Sequence, residues 1–276
     1  DAMFLSSRLD PLPNVVFDAL DKGCRIVQFD GGSGFCDPVY RASDQFVTVE
    51  YANPLAASEA ILALPSIARE LEPSTYTVRE GGPPNQCGIL GSGVAYRQKL
   101  TGDGDRQIIG LCVPGDPLDF QHLFLDIADH SVQMMTRGEV LFIPRTDLQE
   151  LVRTRAGVGH AVLVNILIES SIFREWVLNV GRRDARARMA HLFCEFAIRM
   201  EAQQMAEASG FHFPVNQEQL ADALGLTPVH VNRTLKALEA DGLISRDKRN
   251  IRFPSWERLR DVGDFNQRYL HRDLQL

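Results

Sequence analysis

Two periodicities divide the chain. Between about Thr75 and Pro144, short apolar runs (Cys87-Gly88-Ile89-Leu90, Gln107 to Val113, Val140 to Ile143) alternate with the turn segments Gly81-Gly82-Pro83-Pro84, Gly102-Asp103-Gly104 and Pro114-Gly115-Asp116. Apolar runs punctuated in this way by glycine and proline predict an all-β domain, an antiparallel barrel or sandwich. From Asp147 the period changes to that of a helix. Between Gly157 and Val180 apolar residues recur at Val158, Val162, Ile166, Phe173, Trp176 and Val180, which predicts a helix of ~20 residues, ~30 Å long. Val162, Ile166, Phe173, Trp176 and Val180 follow one another at steps of four, seven, three and four, the seam of a paired helix, with Glu169 in the missing seam position. The same stripe also suits a single helix packed on its own β-domain.

A third pattern occupies Phe213 to Pro254. Asn216 followed by Gln219 makes a capping pair, and Leu220, Ala221 and Leu224 form the apolar face of a short helix that Gly225-Leu226 ends. Thr227 caps a second helix with Pro228 at its first position, where a missing N–H costs nothing, and Val231, Leu235 and Leu238 form its buried stripe. Two helices joined by a tight glycine turn make a helix-turn-helix, whose second helix enters the major groove of DNA by its N-terminal end. That helix would expose His230, Asn232, Arg233 and Lys236, all able to donate to base edges or phosphates. Arg233 can fork to a guanine and Asn232 to an adenine, while Lys236, a turn later, reaches phosphate. Then Asp241-Gly242-Leu243-Ile244-Ser245, Arg246, Lys248, Arg249 and Ile251-Arg252-Phe253 read as a basic hairpin, a wing that touches the DNA backbone.

Charge sharpens this picture. The 276 residues carry a formal net charge of −7, which taken alone argues against nucleic acid. Yet residues 1–180 hold 14 basic and 23 acidic residues, and residues 181–276 hold 15 and 13. Within 227–252, Arg233, Lys236, Arg246, Lys248, Arg249 and Arg252 outnumber Glu239, Asp241 and Asp247, and it is local charge that meets the phosphates. A hydrophobic share of 45% excludes wholesale disorder, and the five scattered cysteines Cys24, Cys36, Cys87, Cys112 and Cys194 spell neither a disulfide framework nor a zinc motif. The longest apolar stretch, Ala161 to Ile168, is broken by Asn165 and followed by Glu169, short of a membrane span. Residues 1–20 lack the basic start and apolar core of a signal peptide, so a cytoplasmic protein without membrane contact is expected. Residues 1–54, with clusters at Val15-Val16-Phe17 and Ile26 to Phe29 and a plain turn at Gly31-Gly32-Ser33-Gly34, form an extension of unknown role.

The order of β-domain, long helix and winged helix-turn-helix resembles the CRP/FNR superfamily of bacterial transcription regulators. The resemblance rests on Ala221 to Leu235, on Phe173-Arg174-Glu175-Trp176 and on Asn179 to Ala185, and covers about residues 55–265. It implies an α+β chain: an antiparallel β-barrel of the jelly-roll, cyclic-nucleotide-binding type over 55–156, a dimerisation helix over 157–181 and a winged helix-turn-helix over 182–276. It also implies a homodimer paired through Val162, Ile166, Phe173, Trp176 and Val180, reading two half-sites of double-stranded DNA one turn apart, ~34 Å. Arg233 then occupies the recognition-arginine position, with Val229, His230 and Asn232 beside it. Val229 departs from the glutamate many members carry there, and can offer only apolar contact. Gln217 and Thr227 match phosphate-contact positions at helix N-termini, joined by Lys236, Arg246, Lys248 and Arg249. RNA polymerase is a further partner of such regulators.

Cyclic-nucleotide-binding members carry a Gly-Glu pair for the ribose and an Arg-Ser/Thr pair for the phosphate. Here Gly115-Asp116 and Asp129-His130-Ser131 stand in those places, so Gly115, Asp116, His130 and Ser131 mark the expected effector pocket. It lacks the phosphate-binding arginine, and Asp116, Asp119 and Asp129 add repulsion, so cAMP is not the expected effector. The cysteine spacing does not match the ligand runs of iron–sulfur members, and His122, His130 and His160 have no haem motif. No cofactor or metal is assigned, and no catalytic residue. Two other readings stand: a ligand-free regulator whose β-domain is a protein-interaction scaffold, and a β-barrel metalloenzyme drawing on His122, His130, Asp119 and Asp126.

Overall fold

The computed structural model describes residues 2–5, 25–29, 46–49, 54–202 and 210–272. They form two compact units, one of the described residues up to 64 together with 149–164, the other of 65–148 together with the described residues from 165 onward. In the first, strands β1 (Ala2–Leu5), β2 (Arg25–Phe29) and β3 (Phe46–Val49) lie parallel in the order β1-β2-β3, and helix α1 covers Pro54–Leu62. The N-terminal extension thus carries a small sheet. The apolar run Ile26 to Phe29 becomes β2, while Val15-Val16-Phe17, Gly31 to Gly34, Cys24 and Cys36 lie outside the described residues.

The β-domain of the second unit is two antiparallel sheets. Strands β4 (Ile67–Leu71), β6 (Gln86–Leu90) and β10 (Gly138–Pro144) pair in the order β4-β10-β6, and β5 (Tyr76–Val78), β7 (Ala95–Leu100), β8 (Arg106–Cys112) and β9 (Ser131–Met134) in the order β5-β9-β7-β8. The apolar runs of the sequence are β6, β8 and β10, and the expected turns separate them. The barrel-type domain expected from the sequence takes the form of this pair of sheets, and among the described residues no strand hydrogen-bonds one sheet to the other. Leu90, Ala95, Cys112, Leu118, Val132, Met134, Val140 and Phe142 form one apolar cluster of this domain. Gly138 opens β10 because a side chain there would sit 2.1 Å from the Ser92 carbonyl oxygen.

Helix α2 (Arg145–Thr154) leads to α3 (Ala156–Arg182), 27 residues and so about 40 Å long. Its mean hydropathy reaches 1.5 with 11% of that window buried, long and apolar enough by length and composition to cross a membrane. This corrects the expectation drawn from Asn165 and Glu169, which interrupt the run without lowering the average enough. Helix α4 (Ala185–Ala202) follows, then β11 (Gly210–His212), α5 (Gln217–Leu224), α6 (Pro228–Ala240), β12 (Ser245–Asp247), β13 (Asn250–Arg252) and α7 (Trp256–Val262). One hydrophobic cluster runs from Tyr96, Ile108 and Leu111 of the β-domain through Trp176, Phe193 and Phe196 to Leu220, Val231 and Leu259.

Residues of the predicted α3 seam are covered in part by the chain itself. Trp176 is buried, with Nε1–H donating 3.0 Å to Glu195 Oε1, and Val162 is buried as well. Glu169, at the vacant seam position, accepts from Arg97 of β7. The stripe through Glu169 and Trp176 faces its own chain, with Ile166, Phe173 and Val180 half-buried along it. Leu163, Leu167, Val177 and Leu178 point outward, each more than 40% exposed. A helix with apolar residues on two adjacent stripes does not reveal, in sequence, which one its own domain covers.

Candidate nucleic-acid interface

The helix-turn-helix is built as its residues dictate. Asn216 Oδ1 accepts from the Gln219 N–H at 2.8 Å and Gln219 Oε1 from the Asn216 N–H at 3.0 Å, a reciprocal cap. Gly225 ends α5 in the left-handed region at φ 62°, where a side chain is strained, and a Cβ there would lie 3.2 Å from Val180. Thr227 Oγ1 caps α6 by accepting from the His230 N–H at 3.2 Å, which leaves its hydroxyl proton to offer. Leu220, Ala221, Leu224, Val231, Leu235 and Leu238 are all buried. Packing the two helices by those residues leaves the N-terminal half of α6 outward, with Val229 81% exposed.

A shallow groove on that face is lined by Gln217, Pro228, Val229, Asn232, Arg233 and Lys236. Five expected DNA-contacting residues meet there and no carboxylate lines it. His230 does not join them: it is half-buried outside the groove. Of the four residues expected to read bases, Val229, Asn232 and Arg233 line the groove.

The wing is a three-stranded sheet, β11-β13-β12. Lys248 at its tip takes a left-handed φ of 55°, and Lys248, Arg249 and Arg252 are exposed. Arg246 behaves differently. Its Nη2 donates to Glu239 Oε2 of α6 at 2.6 Å, and the guanidinium holds the Glu239 carboxyl below its ordinary range. Arg246, expected as a phosphate contact, ties the wing to α6. Two further ties hold α5 on β8: Arg106 donates to Asp222 at 2.7 Å and Gln107 Nε2 to the Ala223 carbonyl at 3.4 Å.

Comparison with known proteins agrees with this geometry. The Crp-like helix-turn-helix domain profile matches residues 187–262 and the cyclic nucleotide-binding domain profile residues 68–155. The transcriptional activator protein FnrL of Cereibacter sphaeroides is 32% identical over 178 residues, 63% of this chain and 71% of that protein. The chain belongs to the CRP/FNR family of transcription regulators. The nitrogen fixation regulation protein FixK of Rhizobium meliloti is 24% identical over 80% of this chain and 97% of its own length. The solved structure of FixK2 from Bradyrhizobium japonicum shares the fold, with a TM-score of 0.66 at 22% identity over 74% of this chain and all of that one.

In this CRP/FNR chain the four residues of the expected effector pocket each have a place within the fold. Asp116 accepts from the Val113 N–H at 2.7 Å and from Arg199 of α4, so its carboxylate fastens a helix. Gly115 is the turn residue beside it, at φ 91°. His130 is buried against Asp129 and Gln121, where burial holds its imidazole below the ordinary range, and Ser131 Oγ accepts from the Glu80 N–H at 3.0 Å. A cavity of about 160 Å³ lies among Arg97, Asp116, Asn165, Glu169, Ile172 and Arg199. Sequence reasoning missed Arg97 and Arg199, which fall outside the family positions it followed. Both cations are spent: Arg97 donates to Glu169 and to the Pro117 carbonyl, Arg199 to Asp116 and the Leu111 carbonyl. Cys87, Cys112 and Cys194 are buried free thiols, and burial pushes the Cys112 thiol up to about 11.

Proposed function

We propose that the chain acts in the cytoplasm as a homodimer, without catalysis, reading a two-fold symmetric DNA site through α6. The observation that carries this reading is the carboxylate-free groove of Gln217, Val229, Asn232, Arg233 and Lys236 on an outward helix face. Arg233 forks to a guanine, Asn232 reads a neighbouring adenine, and Val229 packs on a thymine methyl. Gln217, Thr227, Lys236, Lys248 and Arg249 hold the phosphates. The outward stripe Leu163, Leu167, Val177 and Leu178 pairs the protomers, since an apolar helix face of this length requires cover, and RNA polymerase is met at the promoter.

The β-domain works without cAMP. In its cavity among Arg97, Asp116, Glu169 and Arg199, each buried guanidinium already has a carboxylate. That favours a β-domain that holds the DNA-binding helices in place over one that waits for an anionic ligand.

Selection from a randomised DNA library, with the full chain at moderate salt, tests the first reading. A palindrome with half-sites about one turn apart is the expected product, and recovery of no symmetric site overturns it. Leu167→Glu should separate the protomers in sedimentation and abolish selective binding while leaving the circular dichroism spectrum unchanged.

A further inference from the structure

A buried imidazole in the β-domain has no hydrogen-bond partner. His122, on the short 3₁₀ helix Phe120–Leu123, is fully buried, and neither ring nitrogen makes a hydrogen bond. An orphaned buried polar group costs of the order of a lost hydrogen bond and calls for a reason. Its Nε2 faces Asp129 Oδ1 at 4.0 Å, and Asp129 Oδ1 lies 2.8 Å from His130 Nδ1. The three donor atoms, two imidazole nitrogens and a carboxylate oxygen, all lie within 4.8 Å of one another.

We propose that His122, Asp129 and His130 bind a divalent first-row transition-metal ion. Two imidazoles and one carboxylate are the donors such ions take in proteins, zinc among them. Bonds of about 2.0–2.2 Å to one ion bring donor atoms to roughly 3–3.5 Å from one another, and with the two Asp129 separations at 2.8 and 4.0 Å and all three within 4.8 Å, side-chain shifts of about an ångström complete the set. The surroundings hold the ligands in place. Asp119 Oδ2 lies 3.8 Å from His122 Nδ1 while its Oδ1 accepts from the Gly88 N–H at 2.9 Å, an arrangement that turns Nε2 toward the ion, as outer-shell carboxylates do for metal-bound histidines. The Gln121 amide stands 3.4 Å from His130 Nε2. Arg145 ties the intervening loop by donating to Asp126 at 2.9 Å and to the Leu125 carbonyl at 3.3 Å. The coordination position not filled by protein opens on the exposed side of Asp129, where water completes the shell.

The ion closes a loop that carries three outward apolar side chains, Phe124, Leu125 and Ile127. The sequence hides the site because ligands seven and eight residues apart match no short metal motif; the 3₁₀ turn and the reversal before β9 bring them together.

The test titrates Zn²⁺ into the full chain after chelator treatment, against a competing chromophoric chelator, and repeats it with Co²⁺ to read the ligand field by absorption. One ion per chain is expected, with affinity lowered at least tenfold by Asp129→Ala, an exposed position whose loss leaves the fold intact by circular dichroism, and by His122→Asn. Failure of the wild-type chain to retain Zn²⁺ at micromolar concentration overturns the proposal. So does binding that both variants keep at wild-type affinity, because the ion then sits elsewhere. Neither outcome bears on DNA recognition, which uses none of these residues.

Discussion

The recognition helix and the β-domain cavity both hold arginines, and use them in opposite ways. On α6, Arg233 is exposed in a groove without acids, so its charge is available to an anion from solution. In the cavity, Arg97 is 5% exposed and locked to Glu169, and Arg199 to Asp116. A buried guanidinium without a partner would be prohibitive, so the domain supplies its own counter-ions, and in doing so occupies the positions an anionic effector would need. The lesson is that an arginine's partners, more than its presence, decide whether it binds a ligand or holds a fold.

The largest effect follows from removing one of those internal counter-ions. Glu169→Ala strands Arg97 and should cost about 3–5 kcal/mol of stability, read by urea unfolding, whereas Arg233→Ala should change stability by no more than about 0.5 kcal/mol. Equal effects would erase the contrast between the two arginines.

A second buried network predicts pH dependence. Burial holds the His191 imidazole down at about 4 and pushes the Glu195 carboxyl up. His191 Nδ1 lies 3.1 Å from the Gly263 carbonyl and Nε2 3.1 Å from Tyr269 Oη, which is 2.8 Å from Glu195 Oε2. Tyr269 Oη–H and Trp176 Nε1–H both donate to the Glu195 carboxyl, and the His191 ring spans the Tyr269 hydroxyl and the Gly263 carbonyl. Because the folded value of His191 is depressed below the ordinary 6.5, its contribution is present above pH 6.5 and is lost as the pH falls toward 4, about 3 kcal/mol in all. Glu195 acts in the opposite sense, since a raised carboxyl contributes more as the medium becomes acid. Glu195→Gln should therefore steepen the loss of stability between pH 6.5 and 4 relative to the wild-type chain. Parallel curves for the two would sink the assignment.

What was legible in the sequence was local. The Asn216-Gln219 cap, Gly225, Thr227-Pro228 and the Val231-Leu235-Leu238 stripe specify their helices through neighbours three or four positions away, and the structure places all of them as expected. The surroundings of the α3 stripe were not legible, because Trp176 and Glu169 pair with Glu195 and Arg97, 19 and 72 residues distant. Arg246 looked like its neighbours Lys248 and Arg249 until the hairpin turned it onto Glu239. His230, one turn before Arg233, is half-buried outside the groove's lining, a packing outcome that helix period does not decide, since residues three apart share a helix face. The effector positions followed the family pattern, while the charge-bearing cavity formed around Arg97 and Arg199, which no local pattern marks.

On the DNA side, Arg233→Ala should cost about 1–3 kcal/mol at one base position and relax specificity there, whereas Lys248→Ala should weaken every sequence alike and lower the salt slope by about one phosphate contact. Binding measured on a panel of single-base variants at two salt concentrations separates the two. A uniform loss for both would remove Arg233 from the bases and place it on the backbone.

The smallest effect is the most discriminating for the wing. Arg246 and Glu239 are each about a quarter to a third exposed, so solvent screens their attraction and a double-mutant cycle on stability should return only about 0.2–1 kcal/mol. If the guanidinium is spent on Glu239, Arg246→Ala leaves the salt slope of DNA binding at its wild-type value, in contrast with Lys248→Ala two residues on. A slope that falls as much as it does for Lys248→Ala would mean that DNA takes the guanidinium away from Glu239. In that event the tie between wing and recognition helix opens on binding, and Arg246 belongs with the exposed charge of α6 and not with the paired charge of the β-domain.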